Sequence, residues 1–147
     1  LFPKLDQKKI IEDFMASAAW LKSRPDATGK MGVTGSCYGG GIAHTLATRL
    51  PDLNASVPFY GNHPAATEAA KVKAPLLIHF AATDDRINAA WPAYEAALKA
   101  ANIPHTAHTY PGTQHGFNND TTPRFDKDAA KLAWERTMAF FDKHVKA

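Results

Sequence analysis

The feature that most constrains the fold of this chain is a cysteine between two glycines. It lies at the point where a predicted strand meets a predicted helix. Residues 30–36 read KMGVTGS, a short run with β-branched side chains, and a helical pattern begins at Ile42. The pattern Gly35-Ser-Cys37-Tyr-Gly39 joins these two segments. A strand, a Gly-x-nucleophile-x-Gly turn and a helix form a nucleophile elbow, in which the reactive side chain stands on a sharp turn. The stretch therefore predicts a strand–turn–helix unit with Cys37 as its nucleophile.

The residue types in this pattern suit that chemistry. Gly35 and Gly39 would remove Cβ atoms that clash where the strand and the helix pass close together. The Cys37 thiol would lie at the N-terminus of the helix, where N–H groups and the helix dipole favour a thiolate. The N–H of Tyr38, the next residue, is the one that such a turn aims at an oxyanion. We therefore predict Tyr38 as an oxyanion-hole donor.

Two other interpretations of this stretch remain open. A lone cysteine near glycines is commonly a small buried hydrophobic residue, and Gly-rich turns before helices also bind phosphate groups. The usual nucleotide-binding patterns are not present in the sequence. No Gly-Lys-Ser/Thr occurs there, and the glycines at 35, 39, 40 and 41 do not give Gly-x-Gly-x-x-Gly.

The composition restricts the class of protein. The 147 residues suit one domain, 1–147, and the 45% hydrophobic and 21% charged content is typical of a soluble globular protein. No apolar run approaches the roughly 20 residues of a membrane helix. The net charge of +3 comes from scattered basic residues, which argues against nucleic acid as a partner. A single cysteine excludes an internal disulfide and leaves both cytoplasm and periplasm open as the compartment.

Strand-like and helix-like segments alternate along the chain. Strands are predicted at 30–36, 53–60, 74–82 and 105–110, and the helices between them at 40–49, 65–72 and about 88–101. This alternation predicts a parallel α/β sheet with right-handed crossovers. Asn88 is expected to cap the third of these helices, and His44 in the first of them is expected to be solvated.

A helix is also predicted at each end of the chain. Asp6 is expected to cap the first, whose apolar face would be Ile10, Ile11, Phe14, Ala18 and Leu21. The last is expected to bury one stripe of side chains, namely Trp134, Thr137, Met138, Phe141 and Val145.

Three loops carry a possible catalytic set. Functional groups on parallel sheets lie in loops after the carboxyl ends of strands, and Cys37, Asp84 and His115 follow three such ends in the order nucleophile, acid, histidine. His115 would take the thiol proton or hold an imidazolium beside the thiolate, and Asp84 would orient its ring. Asp84 is chosen over Asp85 because it lies nearer the end of the strand. Asp85 and Arg86 would form only a solvated pair. Taken singly, each residue also fits a solvated histidine or a carboxylate at the start of a helix.

No metal site is predicted. His105 and His108 lie on one short strand at odd spacing, so their side chains point to opposite faces and cannot share an ion.

Four stretches resemble the dienelactone hydrolase (carboxymethylenebutenolidase) family of the α/β-hydrolase superfamily, and the resemblance extends over essentially the whole chain. They are GSCYGG at 35–40, VPFYG at 57–61, PLLIHFAATDDRIN at 75–88 and YPGTQHGF at 110–117. The resemblance implies a mostly parallel sheet with helices on both faces. It also implies hydrolysis of a small ester or lactone by Cys37, His115 and Asp84 through an acyl-thiolate intermediate, with the N–H of Tyr38 in the oxyanion hole. No metal or cofactor is implied.

The chain departs from the family pattern in two places. In the family, the strands beside the elbow strand, a second oxyanion N–H and a glutamate that modulates the cysteine lie upstream of the region matched here. The resemblance thus implies a C-terminal part of a longer hydrolase, whose open sheet edge an N-terminal fragment or a second copy would cover. Members that cleave dienelactone carry an arginine four residues after the histidine, where this chain has Asn119. The natural substrate is therefore left open.

Two alternatives to catalysis also fit the sequence. The first is a non-catalytic interaction domain, or an inactive fragment, that retains the hydrolase scaffold. The second is a redox sensor at Cys37, since an accessible low-pKa thiolate is easily oxidised. The chain has no second cysteine to resolve such an oxidation.

Overall fold

Four parallel strands form the sheet of this protein. A computed structural model describes residues 4–146 and places the strands side by side in the order β1-β2-β3-β4. The strands are β1 (Gly32–Ser36), β2 (Ala55–Phe59), β3 (Leu76–Ala81) and β4 (His105–Tyr110). Each neighbouring pair is parallel. All four predicted strands are present, and the parallel sheet is confirmed.

Helices connect and flank these strands. They are α1 (Gln7–Ser23), α2 (Tyr38–Arg49), α3 (Asp85–Asn88), α4 (Trp91–Ala100) and α5 (Lys127–Phe141), with a 3₁₀ helix at Ala66–Lys71 and a π turn at Asp142–Lys146. Asp6 caps α1 as expected, because its carboxylate accepts the N–H groups of Lys8 (2.9 Å) and Lys9 (3.2 Å). Within residues 4–146, none of these helices combines the length and the apolar character that crossing a bilayer requires.

The expected cap at Asn88 is wrong. The chain turns helical directly after Asp84, so Asn88 is the last residue of α3, and its side-chain amide donates to the Ala81 carbonyl at 2.8 Å. Helix α4 begins after Ala90, which contributes no side-chain cap.

The hydrophobic core covers both faces of the two central strands. Every residue of β2 and β3 is buried. On one face, Leu76, Ile78 and Phe80 pack with residues of α2 and α4. On the other face, Leu77 packs with Val57, Phe117 and Ala133 of α5. Helices therefore lie on both faces of the sheet, as predicted.

The outer strand β1 and helix α1 are less enclosed. Strand β1 has only one neighbour among the described strands and alternates between exposed and half-buried residues. Helix α1 packs against α2 and buries none of its residues completely. Ile10, Ile11 and Ala18 are half-buried, whereas Phe14 and Leu21 are exposed, so the described residues cover the predicted apolar face only in part.

The predicted buried stripe on the last helix is also partly wrong. Trp134 and Met138 are 52% and 41% exposed, although Thr137 is fully buried. The residues of α5 that face the sheet are Ala130, Ala133 and Thr137. Because each residue advances about 100° around a helix, the larger side chains at 134 and 138 are rotated away from the sheet. Small alanines allow α5 to approach the sheet closely.

His44 is fully buried instead of solvated. It lies on the inner side of α2, and its ring meets those of His63 and Tyr94 edge to face, with centroid distances of 6.0 and 5.9 Å. Burial lowers the pKa of His44 to about 3. Neither ring nitrogen has a hydrogen-bond partner among the described residues. The sequence-based expectation failed because α2 packs against both the sheet and the 3₁₀ helix.

Candidate active site

The backbone turns sharply at Cys37, between the end of β1 and the start of α2. Cys37 adopts φ 55° and ψ −116°, a conformation that non-glycine residues rarely adopt. Its N–H donates to the Phe59 carbonyl at 3.1 Å, which ties the turn to the neighbouring strand β2. The cysteine side chain is exposed. The chain therefore has the strained, exposed turn that the glycine pattern predicted.

Two close backbone approaches support this turn, and only one of them was expected. A Cβ atom on Gly35 would lie 2.3 Å from the Gly39 carbonyl oxygen, so the strand and the helix do pass too closely for a side chain at Gly35. A Cβ atom on Gly39 would meet nothing within 4 Å, so the predicted steric need at that position is wrong. The second approach joins Gly40 and Gly61, where a Cβ atom on Gly61 would lie 2.2 Å from the Gly40 carbonyl carbon.

His115 and Asp84 form a direct pair. His115 Nδ1 lies 2.5 Å from Asp84 Oδ2, and Asp84 is only 7% exposed. Because carboxylate oxygens accept hydrogen bonds, this contact fits the His115 tautomer that carries its proton on Nδ1 and leaves Nε2 as the acceptor nitrogen. Asp85 is exposed and forms no ion pair with Arg86, which donates to Asn62 Oδ1 at 3.2 Å. The expected pairing of Asp85 with Arg86 is therefore wrong.

One cavity of about 480 Å³ brings these groups together. Cys37, Tyr38 and His115 all line it, although they belong to the loops after β1 and β4 and to the first turn of α2. The carboxyl ends of these strands meet at one edge of the sheet, as parallel strands require. The structure thus places Cys37 and the Asp84–His115 pair at a single site.

Tyr60 is a residue of this site that sequence reasoning missed. It follows β2 directly, adopts φ 34°, and its ring centroid lies 4.9 Å from that of His115. Burial raises the pKa of its hydroxyl, while a hydrogen bond with the Ser36 side chain acts in the opposite direction. The signal was its position at the carboxyl end of a strand, within the VPFYG stretch at 57–61.

Desolvation, and not the balance of nearby charges, disfavours a resting thiolate at Cys37. Partial burial raises the pKa of the Cys37 thiol, and the carboxylate of Asp84 adds to this effect, whereas the positive charges of Arg124 and Arg86 oppose it. This direction is opposite to the one expected from the helix N-terminus. The guanidinium of Arg124 packs against Gly116, the residue after His115, and so lies close to the site. It is 3.6 Å from the position that a Cβ atom on Gly116 would take.

Tyr38 connects the first turn of α2 to α1. As the first residue of α2, it places its N–H at the positive end of the helix dipole. Its hydroxyl donates to Gln7 Oε1 at 2.7 Å. The same residue therefore lies beside Cys37 and holds the beginning of α1 near the cavity.

The remaining polar residues singled out from the sequence lie elsewhere. The ring of His108 stacks on that of His79, with centroids 6.2 Å apart, whereas His105 meets Trp91, so the two histidines do point to opposite faces. The Asn119 side-chain oxygen accepts from the Thr121 N–H at 3.0 Å and closes a local turn. Across the described part of the chain, no group of three or more His, Cys, Asp or Glu side chains is arranged to hold a metal ion.

The fold and the elbow define the class of protein. Part of the acylaminoacyl peptidase of Pyrococcus horikoshii has the same architecture, with a TM-score of 0.75 at 20% identity over 92% of this chain and 28% of that one, and this architecture is the α/β-hydrolase fold. A family model described as "Dienelactone hydrolase family" matches residues 1–145. The chain belongs to the dienelactone hydrolase family.

Individual relatives extend beyond the matched region. A Saccharolobus solfataricus protein named "Putative carboxymethylenebutenolidase" is 34% identical over 135 residues, which are 91% of this chain and 51% of that protein. The crystal structure of a "Putative Dienelactone Hydrolase" from Klebsiella pneumoniae superimposes with a TM-score of 0.89 at 27% identity, covering 98% of this chain and 65% of that one. The chain thus spans between half and two-thirds of the length of these relatives.

Proposed function

We propose that this chain carries the catalytic residues of a hydrolase that cleaves a carboxylic ester or lactone through an acyl-thiolate intermediate on Cys37. Membership of the dienelactone hydrolase family supports the reaction class. The observation that carries the proposal is the 2.5 Å contact between His115 and the buried Asp84, in the cavity that Cys37 lines. A histidine oriented by a carboxylate beside a nucleophile is the arrangement that acyl transfer requires.

In the first step, Cys37 attacks the substrate carbonyl. Because the pKa of its thiol is raised, the sulfur needs a base, and His115 Nε2 takes the proton as the S–C bond forms. Asp84 holds the ring in the required tautomer and stabilises the imidazolium. The negative charge moves to the carbonyl oxygen, where the N–H of Tyr38 donates to it.

In the second step, the tetrahedral intermediate collapses. The C–O bond to the alcohol breaks, and His115 returns its proton to the departing oxygen, which leaves a thioester on Cys37. His115 then takes a proton from water as the water oxygen attacks the thioester carbonyl. Collapse of this second intermediate breaks the C–S bond and releases the acid, and His115 returns its proton to the sulfur, which restores the thiol. Every step uses groups of this chain and water.

We also propose that a further segment of the same protein, or a second copy of the chain, covers the outer edge of β1. Relatives of this chain are considerably longer than the matched region, and an edge strand with one neighbour is a ready template for pairing. Such a segment is also the natural source of a second oxyanion N–H.

Intact-mass spectrometry tests the reaction directly. The purified protein is exposed briefly to p-nitrophenyl acetate and sampled over time. We expect one acetyl mass to appear and then to decay, and neither event to occur in Cys37→Ala. Turnover in Cys37→Ala would remove Cys37 from the mechanism. Absence of any adduct and of any turnover would favour the non-catalytic interaction domain.

A further inference from the structure

Three isoleucines from three different helices line the cavity that contains Cys37. They are Ile11 of α1, Ile42 of α2 and Ile87 of α3. Ile42 and Ile87 are 6% and 2% exposed, so they belong to the packed interior and form a fixed floor. Ile11 is only half-buried, on a helix that buries none of its residues completely. The cavity thus has a rigid apolar floor and one apolar side chain at its rim.

The first turn of α1 holds Ile11 in position. Asp6 caps the helix, and Gln7 accepts a hydrogen bond from the Tyr38 hydroxyl at 2.7 Å. Residues four apart lie on the same side of a helix, so Gln7 and Ile11 both face the cavity. The hydrogen bond from the residue next to Cys37 therefore ties the turn of α1 that precedes Ile11 to the cavity.

The charge distribution distinguishes this apolar region from the rest of the cavity. Among the residues that line it, Arg86 carries the only permanent charge, and its guanidinium is bonded to Asn62. The catalytic carboxylate of Asp84 is buried behind His115. A charged group placed against three isoleucines would lose its hydration without a partner, whereas an alkyl chain would gain from the contact.

We propose that Ile11, Ile42 and Ile87 form a subsite for the alkyl chain of an uncharged aliphatic ester, and that Ile11 sets the chain length accepted. This inference rests on the proposed hydrolase function, because it assigns one part of the substrate of that same site. Ile11 acts here as a specificity-determining residue, since it touches substrate away from the reacting atoms.

A series of p-nitrophenyl esters from acetate to octanoate measures the chain-length preference as kcat/KM. In Ile11→Ala the larger space moves the optimum to longer chains, and the ratio of octanoate to acetate rises about tenfold. In Ile11→Phe the same ratio falls by about the same factor. Ile10→Ala and Ile10→Phe are matched controls, because Ile10 is the adjacent residue and is equally half-buried but does not line the cavity. Unchanged ratios in both Ile11 variants would overturn the subsite.

Thiol alkylation keeps the test independent of hydrolysis. Cys37 is the only cysteine, so N-alkylmaleimides of increasing chain length label one site by adding sulfur across the C=C bond, with the thiol proton ending on the adjacent carbon. We expect the labelling rate of the unmodified protein to rise with chain length, and this rise to disappear in Ile11→Phe but not in Ile10→Phe. If no ester acylates Cys37 but this pattern holds, the hydrolase function fails and the subsite stands. If esters acylate Cys37 but neither acylation nor labelling depends on Ile11, the hydrolase function stands and the subsite fails.

Discussion

His115 reaches Asp84 through its Nδ1 atom over 2.5 Å, and Asp84 is almost completely withdrawn from solvent. An amide at this position would still fit but would no longer require a proton on Nδ1. We therefore expect Asp84→Asn to reduce kcat/KM about 10³- to 10⁴-fold, because the wrong tautomer of His115 becomes available. Steady-state kinetics with a p-nitrophenyl ester checks this. The control is Asp85→Asn, since Asp85 is exposed and does not contact His115; an equal loss in that variant would contradict the assignment.

Alanine substitutions should distinguish the structural roles of Gly35 and Gly39 in the elbow. At Gly35 an added Cβ atom meets the Gly39 carbonyl oxygen at 2.3 Å, so Gly35→Ala should lower the free energy of unfolding by about 1–3 kcal/mol or more. At Gly39 the space is open and the residue lies in α2, so Gly39→Ala should be neutral or stabilising by up to about 1 kcal/mol. Urea denaturation of both variants measures the difference. Equal destabilisation would mean that the close approach is not the cause.

Two buried histidines make the stability depend on pH. Burial lowers the pKa values of His44 and His79 to about 3, below the 6.5 of an exposed histidine. The unfolded chain therefore binds protons that the folded chain does not, so this stability is complete above about pH 6.5 and is lost as the pH falls towards 3. At pH 4.5 we expect a loss of about 2–3 kcal/mol for each histidine. Urea denaturation between pH 7.5 and 4.5 measures it, and a flat profile would contradict it.

Replacement of the same two histidines by leucine should have opposite effects at neutral pH. His44 has no partner for either ring nitrogen among the described residues, so His44→Leu should be neutral or stabilising. His79 bonds the Tyr110 hydroxyl at 2.9 Å and Thr137 Oγ1 at 3.0 Å, and His79→Leu removes both hydrogen bonds. Each hydroxyl keeps one other partner, Arg136 for Tyr110 and the Ala133 carbonyl for Thr137, so the substitution should cost about 1–3 kcal/mol. Thermal and urea unfolding at pH 7.5 compare the two. Strong destabilisation by His44→Leu would indicate that His44 makes a hydrogen bond to solvent inside the protein.

Arg124 should affect the reactivity of Cys37 from outside the catalytic set. Burial raises the pKa of the Cys37 thiol above its usual 9.0, and the charge of Arg124 partly offsets this. We expect the rate of alkylation by iodoacetamide to keep rising beyond pH 9, and the midpoint to move higher still in Arg124→Gln. The matched control is Arg49→Gln, an exposed residue at the far end of α2. A midpoint below pH 8 in the unmodified protein would show that the helix N-terminus dominates after all.

The sequence predicted the parts of the site that depend on chain order. Cys37, Asp84 and His115 each follow a strand, and strand ends of a parallel sheet meet at one edge, so their proximity did not require coordinates. Facts that depend on how a helix is rotated about its axis were not predictable in the same way. Helical spacing grouped Trp134 with Thr137, but the alanines of α5 turned only Thr137 to the sheet. Spacing along the chain also gives no information on desolvation, which lowers the pKa of His44 and raises the pKa of the Cys37 thiol.

The position of β1 would couple the proposed covering of the sheet edge to the proposed hydrolysis. Its outer edge has no strand partner within residues 4–146, and its last residue, Ser36, immediately precedes Cys37. A complementing strand that pairs along that edge would end beside Cys37, and a backbone amide at its tip would approach the same oxyanion as Tyr38. Binding of the complementing strand and ester cleavage would then report the same event. The rate of ester cleavage would be proportional to the number of chains whose β1 edge is paired.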